Sequence, residues 1–310
     1  MKFGLHLGHV GGPLDDMRRL WRFADEHAFD WFSVSDHFQE APYQGGGVDT
    51  FEAVTMMTAA AMETRRIRIA CLVFSINYRN PGLLAKALAC VDLLSGGRVD
   101  CGLGAGWCEL EYVAYGYEFP PIGVREDQLE EYAAALRLLL DPGVAYADLE
   151  GKHFKLAHAP CNPKPLQKRL PIWIGGAGEK RTLRAAARHG DGWNAPYLSP
   201  AEWKHKSGVL DDWCAKSGRD PAGIRRSANL GFYMGADAAG AARAEAAFQA
   251  MIVKAPPGLT GFLRGEPDRV LEMIGAYRAA GAEQINLALR QPFDWDALAA
   301  FSERVIPQFA

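Results

Sequence analysis

Short apolar runs and amphipathic stretches alternate along this chain almost without a break. An apolar run at residues 2–8 ends in glycine. Residues 14–27 then carry Leu14, Met17, Leu20, Trp21 and Ala24 on one helical face. The same alternation predicts a strand at 31–35 with a helix at 51–62, a strand at 67–74 with a helix at 82–94, and a strand at 99–103 with a helix at 125–140. Further on it predicts a strand at 171–174 with a helix at 179–189, and a strand at 191–194 with a helix at 201–216. A strand at 226–234 precedes an alanine-rich helix from 238. A helix at 267–280, a strand at 283–289 and a helix at 294–305 close the pattern.

Strands that alternate with helices in this way argue for an α/β fold, the closed parallel TIM (β/α)8 barrel, as a single domain over residues 1–310. A doubly wound open sheet is the competing arrangement. It often carries its glycine fingerprint after strand 1, and Gly8-His9-Val10-Gly11-Gly12 does not fit GxGxxG. Two stretches interrupt the rhythm. Residues 141–170, rich in proline and glycine with alternation around 146–156, predict a hairpin insertion. Residues 253–266, with Pro256-Pro257-Gly258 and Gly261, predict a mobile loop.

Charge narrows the partners. The 34 basic and 37 acidic residues give a net charge of −3, and the longest basic cluster, 164–169, is broken by Pro165. Nucleic acid is therefore not an expected partner. No run of 18 apolar residues predicts a membrane span, and the first residues read as a strand rather than a signal peptide. Cys71, Cys90, Cys101, Cys108, Cys161 and Cys214 form no CxxC pair. They are expected to be buried, reduced thiols of a cytoplasmic protein.

Barrel chemistry sits at the carboxyl ends of the strands. The second strand ends Ser35-Asp36-His37-Phe38, a carboxylate beside an imidazole that suits proton handling. Neighbours on a strand face opposite ways, so one of the two is expected to face the pocket while the other braces the loop. After the third strand, Arg79-Asn80-Pro81 supplies a charge and a helix start. Arg79 is expected to meet an anion or to pin a neighbouring loop through a carboxylate. Gly102-Leu103-Gly104-Ala105-Gly106-Trp107 allows close backbone approach, with Trp107 walling a flat ring. Ile174-Gly175-Gly176-Ala177-Gly178-Glu179-Lys180 runs into a predicted helix and reads as a phosphate site, with Lys180 and Arg181 adding positive charge.

These stretches resemble the luciferase-like superfamily, and within it the branch of coenzyme F420-dependent oxidoreductases. The likeness is carried by 35–38, 78–81, 92–98, 102–107, 111–117, 163–165, 171–176, 179–183, 191–194 and 265–267, in order over most of the chain. It implies a deazaflavin or isoalloxazine ring in the barrel mouth. A cis peptide between Leu72 and Val73 would press on that ring. Gly176, Ala177, Gly178 and Glu179 would hold the phosphate end with Lys180 nearby, and Gly104, Gly106, Trp107, Gly175 and Asn194 would complete the cofactor contacts. His37 would donate or accept the proton, with Asp36 close to the ring. Some deazaflavin dehydrogenases carry a glutamate where this chain has Trp107, which argues against their sugar-phosphate substrate.

The resemblance implies hydride transfer between F420 and a small organic substrate by a homodimer or higher oligomer, and the Trp, Tyr and Phe content of loops 38–50, 107–122, 141–170 and 253–266 points to a largely apolar substrate. Trp203 and Trp213 are candidate surface residues for its subunit contacts. The alternative is an FMN-dependent monooxygenase fed by a separate flavin reductase. His6, His9, Asp36, His37 and His189 also raise a metal-dependent hydrolase. Against it, His6 and His9 stand three apart and the fifth strand ends in glycines. A cofactor-binding protein without catalysis is the last alternative.

Overall fold

The computed structural model describes residues 1–8, 12–41, 46–47 and 49–309. Its strands are β1 (Lys2–Leu7), β2 (Trp31–Val34), β3 (Arg68–Ser75), β4 (Val99–Gly104), β5 (Tyr146–Glu150), β6 (Lys155–Pro160), β7 (Ile172–Gly175), β8 (Gly192–Pro196), β9 (Arg225–Met234), β10 (Phe262–Gly265) and β11 (Gln284–Leu289). Its helices are α1 (Leu14–Glu26), α2 (Ala53–Glu63), α3 (Pro81–Ser95), α4 (Glu109–Ala114), α5 (Ile122–Leu140), α6 (Thr182–His189), α7 (Pro200–Lys216), α8 (Ala238–Ile252), α9 (Pro267–Ala279) and α10 (Trp295–Ala300).

The main sheet runs β10-β9-β11-β1-β2-β3-β4-β7-β8, and β8 pairs back onto β9. Every pairing in it is parallel. The result is the expected closed TIM barrel, with β10 attached outside the ring on β9. Burial on both faces explains why β1, β4 and β11 read as nearly continuous apolar runs. The barrel interior is partly polar. Asn194 donates to Ser227 Oγ at 2.8 Å and to Asn229 Oδ1 at 3.0 Å, and Asn286 also donates to Asn229 at 2.9 Å. Below them Trp31 and Trp173 meet edge to face at 4.9 Å and pack with Ala70 and Leu72.

The segment 141–170 carries the antiparallel β5–β6 hairpin. The segment 253–266 differs from the loop expected of it. It ends in β10, because Phe262 and Leu263 find a parallel partner in Gly231 and Phe232. Neither tryptophan singled out for subunit contacts fits that role fully. Trp203 is completely buried against Trp193, and half-buried Trp213 donates its Nε1 to the Glu179 carbonyl. All six cysteines are free, but Cys90 lies exposed on α3. Among the described residues, no helix is long and apolar enough to cross a membrane.

The stretch from Asp92 to Arg98 holds the lower barrel together. Gly96 and Gly97 end α3 at positive φ, 70° and 87°, a conformation that favours glycine. Arg98 then donates to the carbonyls of Ala61, Thr64, Ile67 and Ser95. Asp92 accepts from the side chain and backbone of Gln167.

Candidate active site

His37 follows β2 by three residues and sits at the carboxyl end of the barrel. Its Nδ1 donates to Glu111 Oε2 at 2.6 Å. Glu111 lies in the first turn of α4 and is completely buried. Its other oxygen accepts from Phe38 N at 2.5 Å and Gln39 N at 3.1 Å, and Tyr78 Oη donates to Oε2 at 3.1 Å. Burial pushes the Glu111 carboxyl up, but hydrogen bonds from His37 and the two backbone N–H groups outweigh it and hold the carboxyl below its ordinary value. The buried carboxylate at Nδ1 keeps a proton on that nitrogen, so a change of protonation falls on Nε2. Phe38, Tyr78, Tyr112 and Tyr115 pack around the pair, with ring centroids 4.3–4.9 Å apart. Trp107, half exposed, turns its edge to His37 at 5.4 Å.

Asp36, just past the end of β2 like His37, has a different set of partners. Arg79 grips both of its oxygens, at 2.7 and 2.9 Å, and also reaches Glu52 at 2.5 Å. Ser75 N donates to Asp36 at 3.0 Å. Burial lifts the Asp36 carboxyl above its ordinary range against the pull of Arg79. Its carboxylate braces β3 and the start of α3, and Arg79 pins that loop through Asp36 and Glu52.

The floor of the mouth is β3. The peptide between Leu72 and Val73 is cis, and the pairing of β3 with β4 shifts register between Cys71 and Phe74. Leu72 turns down onto the Trp31–Trp173 pair, while Val73 leans across two neighbouring strands. A Cβ on Gly104 would stand 2.4 Å from Val73 Cγ2, and one on Gly175 would stand 2.5 Å from Val73 Cγ1. These two glycines are thus demanded by Val73 itself. Gly106, at φ 75°, is demanded by Tyr112, whose hydroxyl would lie 1.9 Å from a Cβ there.

The β7 loop forms the second half of the site. Gly176, at φ 122°, donates to the Asn194 carbonyl at 3.0 Å and accepts from Trp193 Nε1 at 2.8 Å. Asn194 thus reaches this loop through its main chain, while its side-chain amide goes into the barrel interior. The helix expected from residue 179 begins at Thr182, because Leu183 N bonds to the Gly178 carbonyl and leaves 179–181 outside the first full turn. Among the described residues, the backbone N–H groups of Ala177, Gly178, Glu179 and Lys180 have no protein acceptor. Four such donors beside Lys180 fit a phosphate. The Glu179 side chain turns away to His205 and Lys206, at 3.0 and 2.7 Å.

The histidines raised for a metal are dispersed. His6 is buried with Nδ1 3.0 Å from Ser33 Oγ, His189 ends α6, and His9 lies outside the described residues. Among the described residues, no three His, Cys, Asp or Glu side chains are grouped to hold a metal ion. Glu111 is the residue the sequence reading missed. It stands in a stretch that carried the family likeness, but nothing local linked it to a histidine 74 positions earlier.

The description of the luciferase-like monooxygenase family matches residues 1–303, and the chain belongs to that family. It is 33% identical over 215 residues to an uncharacterized protein of Mycobacterium tuberculosis, covering 64% of this chain and 73% of that one. It is 30% identical over 268 residues to an F420-dependent glucose-6-phosphate dehydrogenase of Rhodococcus erythropolis, covering 84% and 75%. Among solved structures, an F420-dependent secondary alcohol dehydrogenase in complex with an F420-acetone adduct shares the fold, with a TM-score of 0.86, 21% identity and 100% and 99% coverage. A monooxygenase from Streptomyces bottropensis shares it at 0.84 and 24% identity, each chain fully covered.

Proposed function

We propose that this luciferase-like enzyme transfers a hydride between coenzyme F420 and a small organic substrate. The observation that supports the reading is the His37–Glu111 pair after β2 together with the open N–H groups after β7, two strand ends separated in the barrel by β3 and β4, with Val73 of β3 reaching Gly104 and Gly175. Those parts fit a planar cofactor with a phosphate-bearing tail. The N–H groups of 177–180 would hold the phosphate, with Lys180 in support, while Val73 and Trp107 would border the ring. When bound, the deazaflavin ring supplies the carbon that gives or takes the hydride. His37 handles the coupled proton at Nε2. Glu111 holds the imidazole in that tautomer and supports its positive charge once protonated. Asp36, through Arg79 and Ser75, keeps β3 in place beneath the ring.

FMN is the second reading, favoured by the family's monooxygenases, and would call for reduced flavin from a separate reductase. Side-by-side titration of the apoprotein with F420 and FMN in both redox states, followed by absorbance and tryptophan fluorescence, decides between them. Preference for F420 supports hydride transfer. Preference for reduced FMN, followed by substrate-dependent oxygen uptake, overturns it. His37→Gln is expected to cut turnover and leave cofactor affinity nearly intact. Unchanged turnover removes His37 from the mechanism.

The protein is assigned to the cytoplasm on its free thiols and to a homodimer on its apolar outer helices. On α2 and α3, Met62, Leu83, Leu93 and Leu94 are all exposed, with Cys90 between them.

A further inference from the structure

One oxygen of the buried Glu111 carboxylate is claimed twice. His37 Nδ1 donates to Oε2 at 2.6 Å, and Tyr78 Oη donates to the same oxygen at 3.1 Å. Phe38 N and Gln39 N take Oε1. A carboxylate offers about four lone-pair sites, so these four donors fill it. Burial first, then the Glu111 charge, then Tyr112, push the Tyr78 phenol up. It keeps its proton and acts on Glu111 only as a donor.

Packing fixes the aim of Tyr78. It lies in the turn after β3, where its N–H donates to the Ser75 carbonyl at 3.2 Å. Its buried ring is held by Phe38, Tyr112 and Tyr117, with centroids at 4.8, 4.9 and 5.1 Å. Tyr112, buried in the same cluster, pairs its hydroxyl with Ser75 Oγ at 2.5 Å instead. The other titratable groups packed on the pair have their own partners or stay neutral. His6, from β1, is neutral, its pKa lowered to about 3 by burial first, then by Arg290, then by His37. Asp36, next to His37 in the chain, is matched by Arg79, which also pairs with Glu52. The Cys108 thiol, just before α4, lies beside Glu111. Burial first, then that carboxylate, push it up, and it stays protonated.

A hydrogen bond to a carboxylate spreads its charge and weakens its pull on a proton or a cation. Tyr78 therefore draws on charge at Oε2 that would otherwise serve His37 alone. We propose that Tyr78 is a positioning residue that, by sharing Glu111 Oε2, limits how firmly Glu111 holds His37 in its protonated form. Without that second donor the imidazolium would rest on an undivided buried carboxylate and would release its Nε2 proton less readily. The inference rests on the reading of His37 as the proton-handling group.

The test follows the imidazole ¹⁵N shifts of histidine-labelled protein against pH, without cofactor, with His37 assigned by its loss in His37→Gln. Tyr78→Phe keeps the ring and removes the donor. It should raise the His37 titration midpoint by about half a pH unit or more. Tyr78→3-fluorotyrosine, whose phenol is the stronger donor, should lower it. Tyr112→Phe removes a buried phenol from the same cluster and should leave the midpoint in place. An unchanged or lowered midpoint in Tyr78→Phe overturns the proposal. So does an equal rise in Tyr112→Phe, which would assign the effect to packing. If Tyr78→Phe does not fold, the fluorinated chain decides, and a midpoint that stays or rises there overturns the proposal. Turnover against pH, with the cofactor the protein binds, separates this inference from the reading beneath it. A pH limb that follows the midpoint through the variants supports both. A midpoint that moves while the limb stays upholds the role of Tyr78 and removes His37 as the proton-handling group.

Discussion

Replacing Glu111 with glutamine tests the proton-handling pair at its least exposed member. The carboxylate is fully buried and takes four hydrogen bonds. Glutamine keeps the shape, and its carbonyl oxygen continues to accept from Phe38 N and Gln39 N. Its amide N–H then meets His37 Nδ1, where the carboxylate used to accept. The imidazole must place its lone pair on Nδ1 and its proton on Nε2, the reverse of the wild-type tautomer. Hydrogen bonds to a charged group contribute about 1.5–3 kcal/mol. Making all four of them neutral should lower stability by about 3–5 kcal/mol. A base presenting its proton instead of its lone pair forfeits general base catalysis, about 10²–10⁴ in kcat/KM, or roughly 3–5 kcal/mol in the barrier. The tautomer is read without a substrate from the imidazole ¹⁵N shifts of histidine-labelled protein, with His37 assigned by its loss in His37→Gln. The same tautomer in wild type and Glu111→Gln would refute the reasoning. So would a loss of turnover traced wholly to weaker cofactor binding.

Gly175→Ala brings a methyl to 2.5 Å from Val73 and is expected to lower stability by about 1–3 kcal/mol and weaken cofactor binding. Val73→Ala in the same chain should restore much of both, and additive losses in the double-mutant cycle would show that the two side chains do not compete for that space. His6 makes stability depend on pH with a definite sign. The unfolded chain binds a proton below about pH 6.5, whereas the native state does not until about pH 3, so stability falls as pH drops from 6.5, by about 2 kcal/mol at pH 5. His6→Asn should flatten that limb in urea melts, and an unchanged slope would count against a neutral buried His6. Arg98→Leu strands the carbonyls of Ala61, Thr64, Ile67 and Ser95 and should remove about 3 kcal/mol or more. Its effect should appear in thermal melts and not in the cofactor affinity of the folded fraction.

The succession of strands and helices, and with it the barrel, was legible in the chain. Burial of parallel strands on both faces writes each one as a short apolar run, and each covering helix repeats its apolar face every three to four residues. The β7 glycine loop and the Asp36-His37 pair were legible for a related reason, since the ends of barrel strands are where chemistry gathers. Local pattern could not decide which member of that pair faces the mouth. Asp36 is claimed by Arg79 and Ser75, which arrive from β3 and the turn after it, and His37 by Glu111, which arrives from α4. Nor does composition tell why a glycine is there. Gly104 and Gly175 read as room for a ligand, and the structure adds a second reason, since a Cβ at either would meet Val73 from a third strand. Phe262 read as part of a loop until Gly231 and Phe232 offered it an open strand edge. In each case local periodicity is set by a residue's own neighbours in the chain. Its partners come from strands and helices tens of residues away, and only closure of the barrel brings them within a few ångströms.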